Sequence, residues 1–386
     1  MKIPALDMKA QIDPIRKEID RAIGDVIDKG SFILGDSVRA LEQDIINYTA
    51  ANFAIGVSNG TDAITLSLQA LDIGREDLVL CPAFTYYATA SAVVHAGASP
   101  VFIDIDPKTY CMDSKALEAH LKKKPGLNAI KAIVPVHLYG QCADMAPIIE
   151  LAKDNGIKVV EDTAQAFGAE YMPGVSGKGS SVKSVKAGTM GDCGSISFFP
   201  GKNLGAFGDA GMILARDKDT ADKLYRLRNQ GSEAANKYRH IYIGRNNRLD
   251  AIQAAVLRVK LKYMDSWNKK RMENALYYNK ALKDTCLALP YVPVTNTHIY
   301  HQYILRAADS SMRDRIIKHL QAMGIDSRVF YPIPLHLQPC FSYLRYKKGD
   351  LPQSEKAADT VFTLPVYPEL TRQQMDYVIH SVKRIL

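Results

Sequence analysis

Apolar residues follow two rhythms along this chain. Between residues 7 and 30 they recur at a four-residue step, at Ile15, Ile19, Ile23 and Ile27, in a charged background. That spacing predicts a helix with a narrow apolar stripe. Gly30 and Gly35 bracket Ser31-Phe32-Ile33-Leu34, and a second helix is predicted over residues 37–51. The rhythm then shortens. Apolar runs predict strands over 54–58, 78–81, 100–105, 132–137, 158–161, 194–198 and 211–215. Helical stretches lie among them, ending at Leu71 and then covering 85–96, 114–124 and 145–155, with another over 220–229. Seven strands that alternate with helices predict an α/β fold with a mostly parallel sheet covered on both faces.

A long helix is predicted over 249–282, and the composition shifts after it. A strand at 300–305, a helix at 311–323, a Pro-rich turn over 331–337 and a last helix from about Thr371 describe a smaller α+β lobe. Two domains are therefore expected, 1–250 and 251–386. Residues 172–190 are rich in Gly, Ser and Lys and have no apolar period, so they read as a mobile loop.

Composition narrows the class. Apolar residues make up 47% of 386, enough for a sizeable core. The net charge of +8 suits anionic ligands, but it is not in blocks, which argues against nucleic acid as a partner. No apolar run approaches membrane-spanning length, and the first residues hold no signal-peptide core. The six cysteines are scattered without a CxxC pair, so they are expected to be reduced thiols of a cytoplasmic protein, with no metal site. Gly177-Lys178-Gly179-Ser180 lacks the glycine spacing of a P-loop, and no GxGxxG follows the first strand. Nucleotide hydrolysis and classical dinucleotide binding are both poor readings.

The candidate chemistry gathers where open α/β sheets bind ligands, at the carboxyl ends of the strands. Lys202 follows strand 194–198 and lies among Gly201, Gly205 and Gly208. A lysine there can be partly desolvated, which lowers its pKa and makes the amine nucleophilic. Asp162 follows an apolar strand, where a carboxylate needs a cationic partner. Gly60-Thr61 begins a helix, whose free N–H groups suit a phosphate. Phe84 ends another strand and has the shape to stack on a planar ring. Taken singly, each has a plainer reading: a surface lysine, two helix caps, a core aromatic. Together they describe one cofactor. Lys202 would form an imine, Asp162 would hold a pyridinium, Phe84 would cover the ring, and Gly60-Thr61 with Ser197 would hold a phosphate. That cofactor is pyridoxal 5'-phosphate.

Five segments resemble the DegT/DnrJ/EryC1 family of aminotransferases that act on nucleotide-linked keto-sugars. They are Ser58-Asn59-Gly60-Thr61-Asp62-Ala63, Cys81-Pro82-Ala83-Phe84-Thr85-Tyr86, Pro135-Val136-His137-Leu138-Tyr139-Gly140-Gln141, the run from Glu161 to Ala169, and the run from Ser197 to Gly205. The resemblance extends through Gly244-Arg245-Asn246-Asn247-Arg248-Leu249-Asp250 and Tyr331-Pro332-Ile333-Pro334-Leu335. It implies the type I fold of pyridoxal phosphate-dependent aminotransferases, with a large seven-stranded cofactor domain over 1–250 and a small domain over 251–386. It implies that Lys202 carries the cofactor, Asp162 pairs with the ring nitrogen, Gln165 touches the ring hydroxyl or face, Phe84 stacks, and Ser197, Gly60 and Thr61 hold the phosphate. Asn246 reaches the phosphate of a neighbouring subunit, making the active unit a homodimer with shared sites. Arg248, Tyr331 and His336 lie where the family builds its sugar-nucleotide pocket. The implied substrates are a nucleoside-diphosphate keto-sugar, aminated at carbon 3, and glutamate, in the making of surface polysaccharide or a glycosylated metabolite. Loop 172–190 looks longer than the family pattern by roughly a dozen residues. Two alternatives use the same scaffold. Relatives that remove a sugar hydroxyl carry histidine at the lysine position, and Lys202 argues against that reaction. A non-enzymatic regulator would have no need of Lys202, Asp162 and Gln165 together.

Overall fold

The computed structural model describes residues 1–123, 129–174, 183–233 and 235–386. All seven expected strands form: β1 (Phe53–Val57), β2 (Leu78–Pro82), β3 (Ser99–Ile103), β4 (Ile130–Ile133), β5 (Lys158–Asp162), β6 (Cys193–Ser197) and β7 (Gly211–Ala215). They make one sheet in the order β1-β7-β6-β5-β4-β2-β3. The run β3-β2-β4-β5-β6 is parallel, while β7 pairs antiparallel with both β6 and β1. Only β7 is reversed, so the other six strands deliver their carboxyl ends to one side of the molecule.

The strands are mainly apolar because helices cover both faces; the charged exceptions are Lys131 in β4 and Lys158, Glu161 and Asp162 in β5. Val79, Cys81, Val160, Ile213 and Ala215 point into a core covered by the helices Gly60–Ala70, Ala88–His95 and Lys218–Leu227. Leu80, Ile103, Ile133 and Val159 point the other way, against Ser114–Lys122 and Met145–Asp154. On that same face, Met212, Leu214 and Ile196 meet the helices Asp36–Thr49 and Ala251–Leu261. A separate core holds the small lobe together. There the strands Tyr303–Arg306 and Val361–Leu364 pair antiparallel, and the helices Met264–Leu282, Ser310–Ala322 and Arg372–Ile385 close over them.

Several elements differ from the sequence reading for local reasons. The first helix is broken by a 3-10 turn at Asp13–Ile15, because Pro14 has no N–H to continue the ladder. The expected helix 249–282 is two helices, Ala251–Leu261 and Met264–Leu282. The first packs on the large lobe's Asp36–Thr49, and the second starts the small lobe. The second core takes its helical residues from Ala275 onward and also takes Ile3 from the chain's start. Packing thus does not divide at 250/251. At the base of loop 172–190, Glu170–Tyr171 and Val185–Lys186 form a two-stranded hairpin; residues 175–182, the centre of the expected mobile stretch, lie outside the described residues. Among the described residues no helix is long and apolar enough to cross a membrane.

One buried charge ties the sheet to its loops. Glu161, in β5, is completely buried. Its carboxylate accepts hydrogen bonds from the N–H groups of Gly188 (2.9 Å), Met190 (2.6 Å) and Gly191 (2.7 Å), and from His137 Nε2 (2.8 Å). His137 Nδ1 accepts from the Ala143 N–H at 3.0 Å, so the ring proton must sit on Nε2. Glu161→Ala would strand four donors. It is expected to destabilise the protein by about 3–5 kcal/mol, measured as a lower midpoint in denaturant unfolding; a loss under about 1 kcal/mol, the value of an exposed pair, would contradict this account.

Candidate active site

Four strand ends build the site. After β1, Asn59 caps the helix Gly60–Ala70: its Oδ1 accepts from the Asp62 N–H at 2.8 Å, and Asp62 Oδ2 accepts from Ser58 Oγ and Asn59 Nδ2, both at 2.7 Å. The cap leaves the N–H groups of Gly60 and Thr61 with no acceptor among the described residues. A Cβ at Gly60 would lie 2.7 Å from Ser197 Cβ, so only glycine lets the helix start touch the end of β6. Two free N–H groups, a helix N-terminus and the Ser197 hydroxyl make a cradle for a phosphate.

At the end of β5, Asp162 is 6% exposed. Its Oδ2 accepts from Thr89 Oγ1 at 2.8 Å and its Oδ1 from the Ala164 N–H at 3.1 Å. A buried carboxylate with two donors still has lone pairs to offer a cation. Gln165 lies three residues on. Its Oε1 accepts from the Tyr139 N–H at 2.8 Å, so its Nε2 donates to Tyr331 Oη at 2.7 Å.

After β6 the chain turns back on itself. The Lys202 N–H donates to Phe199 O at 2.8 Å. A Cβ at Gly205 would fall 2.2 Å from Pro200 O, so the turn requires glycine. Lys202 keeps part of its surface accessible. Burial pushes its ammonium down to about 8, while the nearby Asp162 carboxylate pulls the other way. Asn203, next in the chain, is anchored to Asn268 Oδ1 (2.7 Å) and accepts from His301 Nδ1 (3.0 Å).

Two expected residues lie elsewhere. Phe84 is 0% exposed and packs with Tyr110 and Tyr139 in the core on the opposite face of the sheet from the helix beside Asp162. It has no free face to stack on a ring. Tyr86, two residues on, is 57% exposed with its ring 5.9 Å from Tyr331, and it replaces Phe84 as the available aromatic. His336 is 2% exposed, and its Nε2 pairs with Glu355 Oε1 at 3.0 Å. It holds the turn from behind and presents no surface to a ligand. Tyr331 does reach the site, because the Leu335 N–H docks on Ala83 O at 2.7 Å just past β2. Arg248 bridges to Val57 at the end of β1; its Nη1 donates to Asn229 Oδ1 at 2.9 Å and its Nε is buried without a partner among the described residues. Asn246, two residues earlier, is exposed on the surface. Thr89, Tyr86 and His301 escaped the sequence reading. Thr85 and Thr89 sit four apart, the spacing of one helical turn, and that is the one signal that could have found the pair.

An amine of lowered basicity, a clamped carboxylate and an anion cradle fit a phosphorylated aldehyde with a cationic ring nitrogen, and pyridoxal phosphate is such a molecule. The amine is testable alone. In cofactor-free protein, a limiting amine-selective acylating reagent should label Lys202 with a pH midpoint near 8, against about 10.4 for ordinary lysines. Peptide mass spectrometry reads each site, and a Lys202 midpoint level with the surface lysines would remove the claim.

Comparison with known proteins agrees with this geometry. Residues 13–383 match the profile of the DegT/DnrJ/EryC1/StrS aminotransferase family. A pleiotropic regulatory protein of Geobacillus stearothermophilus is 43% identical, with 99% of this chain and 98% of that one aligned. A UDP-N-acetyl-3-dehydro-alpha-D-glucosamine 3-aminotransferase of Acidithiobacillus ferrooxidans is 40% identical over 100% of this chain and 98% of its own. The crystal structure of NtdA from Bacillus subtilis with bound cofactor PMP superposes with a TM-score of 0.88 at 30% identity, covering 100% of this chain and 85% of that one. With a whole-length profile match and relatives of this identity, the chain belongs to the DegT/DnrJ/EryC1/StrS aminotransferase family.

Proposed function

We propose that this protein is a pyridoxal phosphate-dependent aminotransferase that converts a nucleotide-linked 3-keto sugar to the amino sugar, with glutamate as amino donor, for surface polysaccharide or a glycosylated metabolite. The observation that carries the reading is the pairing of Lys202, an amine of lowered basicity, with the clamped carboxylate of Asp162. The 3-aminotransferase name of the Acidithiobacillus relative supports the ring position. The name of the Geobacillus relative raises a regulatory role, but a regulator has no use for a desolvated lysine facing a held carboxylate. The exposed, unpaired thiols of Cys286 and Cys340 suit a reducing cytoplasm.

Pyridoxal phosphate, when bound, supplies an electron sink that lets a proton leave the carbon beside the nitrogen. The chain's own residues do the rest. Gly60, Thr61 and Ser197 take the phosphate, and Tyr86 offers the aromatic face in place of Phe84. Asp162 holds a ring N–H through the lone pairs that Thr89 and Ala164 leave free. Lys202 Nζ, as a neutral amine, would be the group that accepts a proton and gives it back. Its lowered pKa raises the neutral fraction near pH 7–8. Gln165 aims Tyr331 at the substrate, and Arg248 offers a guanidinium to the pyrophosphate, for which its fork geometry suits it.

A second copy of the chain completes the proposal. Asn246 is exposed, and in the same segment Ile243 is 97% exposed with Ile241 and Tyr242 beside it. Such an apolar surface suits a partner. A two-fold pair would place Asn246 of each subunit at the other's phosphate.

Two experiments test this reading. The amine form of the loaded protein, offered a panel of carbonyl compounds, should return to the aldehyde form with nucleotide-linked 3-keto sugars. Arg248→Ala should raise their KM by about 10- to 100-fold, the weight of a hydrogen bond to a charged group, with less change for glutamate. Equal reaction with unphosphorylated sugars, or with free keto acids other than 2-oxoglutarate (the keto acid that glutamate itself leaves), would reject the substrate class. For the pair, Lys202→Ala and Asn246→Ala subunits, each impaired alone, should recover activity on mixing through one intact site per mixed dimer; no recovery in a well-mixed sample would reject shared sites.

A further inference from the structure

Asp162 is held from two sides, and one of its partners comes from far away in the sequence. Thr89 opens the helix Ala88–His95 beyond β2, and its hydroxyl reaches across the end of β4 to Asp162 Oδ2 at 2.8 Å. Helical hydroxyls commonly bond back to their own helix, as Thr65 does to Thr61 O and Ser67 to Ala63 O. Thr89 does not. It is fully buried, as is Thr85, whose Oγ1 lies 3.2 Å from Thr89 Oγ1. A hydroxyl has one proton. Thr89 gives its proton to the carboxylate, so the contact with Thr85 must run from the Thr85 O–H to the Thr89 oxygen. The polarity of the chain Thr85→Thr89→Asp162 is therefore fixed, and the Ala164 N–H fixes the other carboxylate oxygen at 3.1 Å.

We propose that Thr89, itself held by Thr85, is a positioning residue: its hydroxyl locks the Asp162 carboxylate in the rotation that receives the cofactor's ring N–H, and sets how strongly that proton is held. The inference rests on the cofactor reading above. Its physical content is that a buried carboxylate has few donors, so each one it has limits both its rotation and its basicity. Without the Thr89 hydroxyl, Oδ2 loses its donor. The carboxylate then turns more freely and draws the shared proton toward itself, and the bound ring becomes a weaker electron sink. Lys202 and Tyr331 are titratable groups that feel the Asp162 charge, and neither is altered by the substitution.

The test uses loaded wild-type protein and the variants Thr89→Val, Thr89→Ser and Thr85→Val. Two quantities are read: the pH midpoint of the bound chromophore's absorbance, and kcat and KM for the keto-sugar. Thr89→Val should still acquire the Lys202-dependent colour. Its absorbance midpoint should move by about one pH unit, and its kcat should fall about 10- to 100-fold, the weight of a hydrogen bond to a charged group, with KM little changed. Thr89→Ser keeps the hydroxyl and should restore both quantities. Thr85→Val should shift them in the same direction by less. If the valine variant does not fold, Thr89→Ala removes the hydroxyl without adding bulk and takes its place. An unmoved absorbance midpoint in the hydroxyl-free variant overturns the proposal. So does a serine variant as impaired as valine, since the hydroxyl would then not be what matters. A wild-type protein that acquires no Lys202-dependent colour overturns the cofactor reading itself, which separates that failure from this one.

Discussion

Two neighbouring carboxylates at the end of β5 set the terms for everything around them. A buried charge is tolerated only when it is paired or fully hydrogen-bonded. Successive side chains of a strand point to opposite faces, so Glu161 and Asp162 make that demand on both sides of the sheet. On one side the demand is met within the protein. His137 and three N–H groups of the 188–191 turn fill the Glu161 oxygens and thereby fix where the chain enters β6. On the other side it is met in part. Thr89 and Ala164 give Asp162 two donors, and its remaining capacity faces Lys202. The first carboxylate is structural because it is saturated; the second is chemical because it is not.

That contrast also explains what the sequence could and could not tell. The sheet was legible because helices cover both its faces, so each strand is a short, mainly apolar run between turn residues. Lys202, Asp162 and Gln165 were legible because they sit just past such runs, where a parallel sheet collects its ligands. Phe84 and Tyr86 were harder. Both follow β2 by a few residues, and no local pattern says which of two aromatics two apart turns into the core. The packing of Tyr110 and Tyr139 around Phe84 decides it, and those contacts come from distant parts of the chain. His336 is a similar case. A histidine on a Pro-rich turn reads as a surface group until Glu355, nineteen residues later, is seen beside it. The break between Leu261 and Met264 left no proline or glycine to mark it; Met264 still packs in the large-lobe core, and the small lobe's core takes up the second helix only from Ala275.

The small lobe is tied to the site by bonds whose direction can be worked out. A backbone N–H can only donate, so Gln165 must turn its carbonyl oxygen to Tyr139. Its amide nitrogen is then the donor to Tyr331, and Tyr331 must accept. The Tyr139 hydroxyl in turn donates to the Phe330 carbonyl, so one residue after β4 grips both the glutamine and the turn that carries Tyr331. With its oxygen already accepting from Gln165, Tyr331 keeps its own proton for an outside acceptor. Burial raises the Tyr331 pKa well above the ordinary tyrosine value, which keeps that proton in place at any working pH. The lobe therefore presents a fixed hydrogen-bond donor beside an unsaturated carboxylate and a weakly basic amine. That arrangement favours a ligand with an oxygen at one edge, a cationic N–H at another and a carbonyl carbon between them.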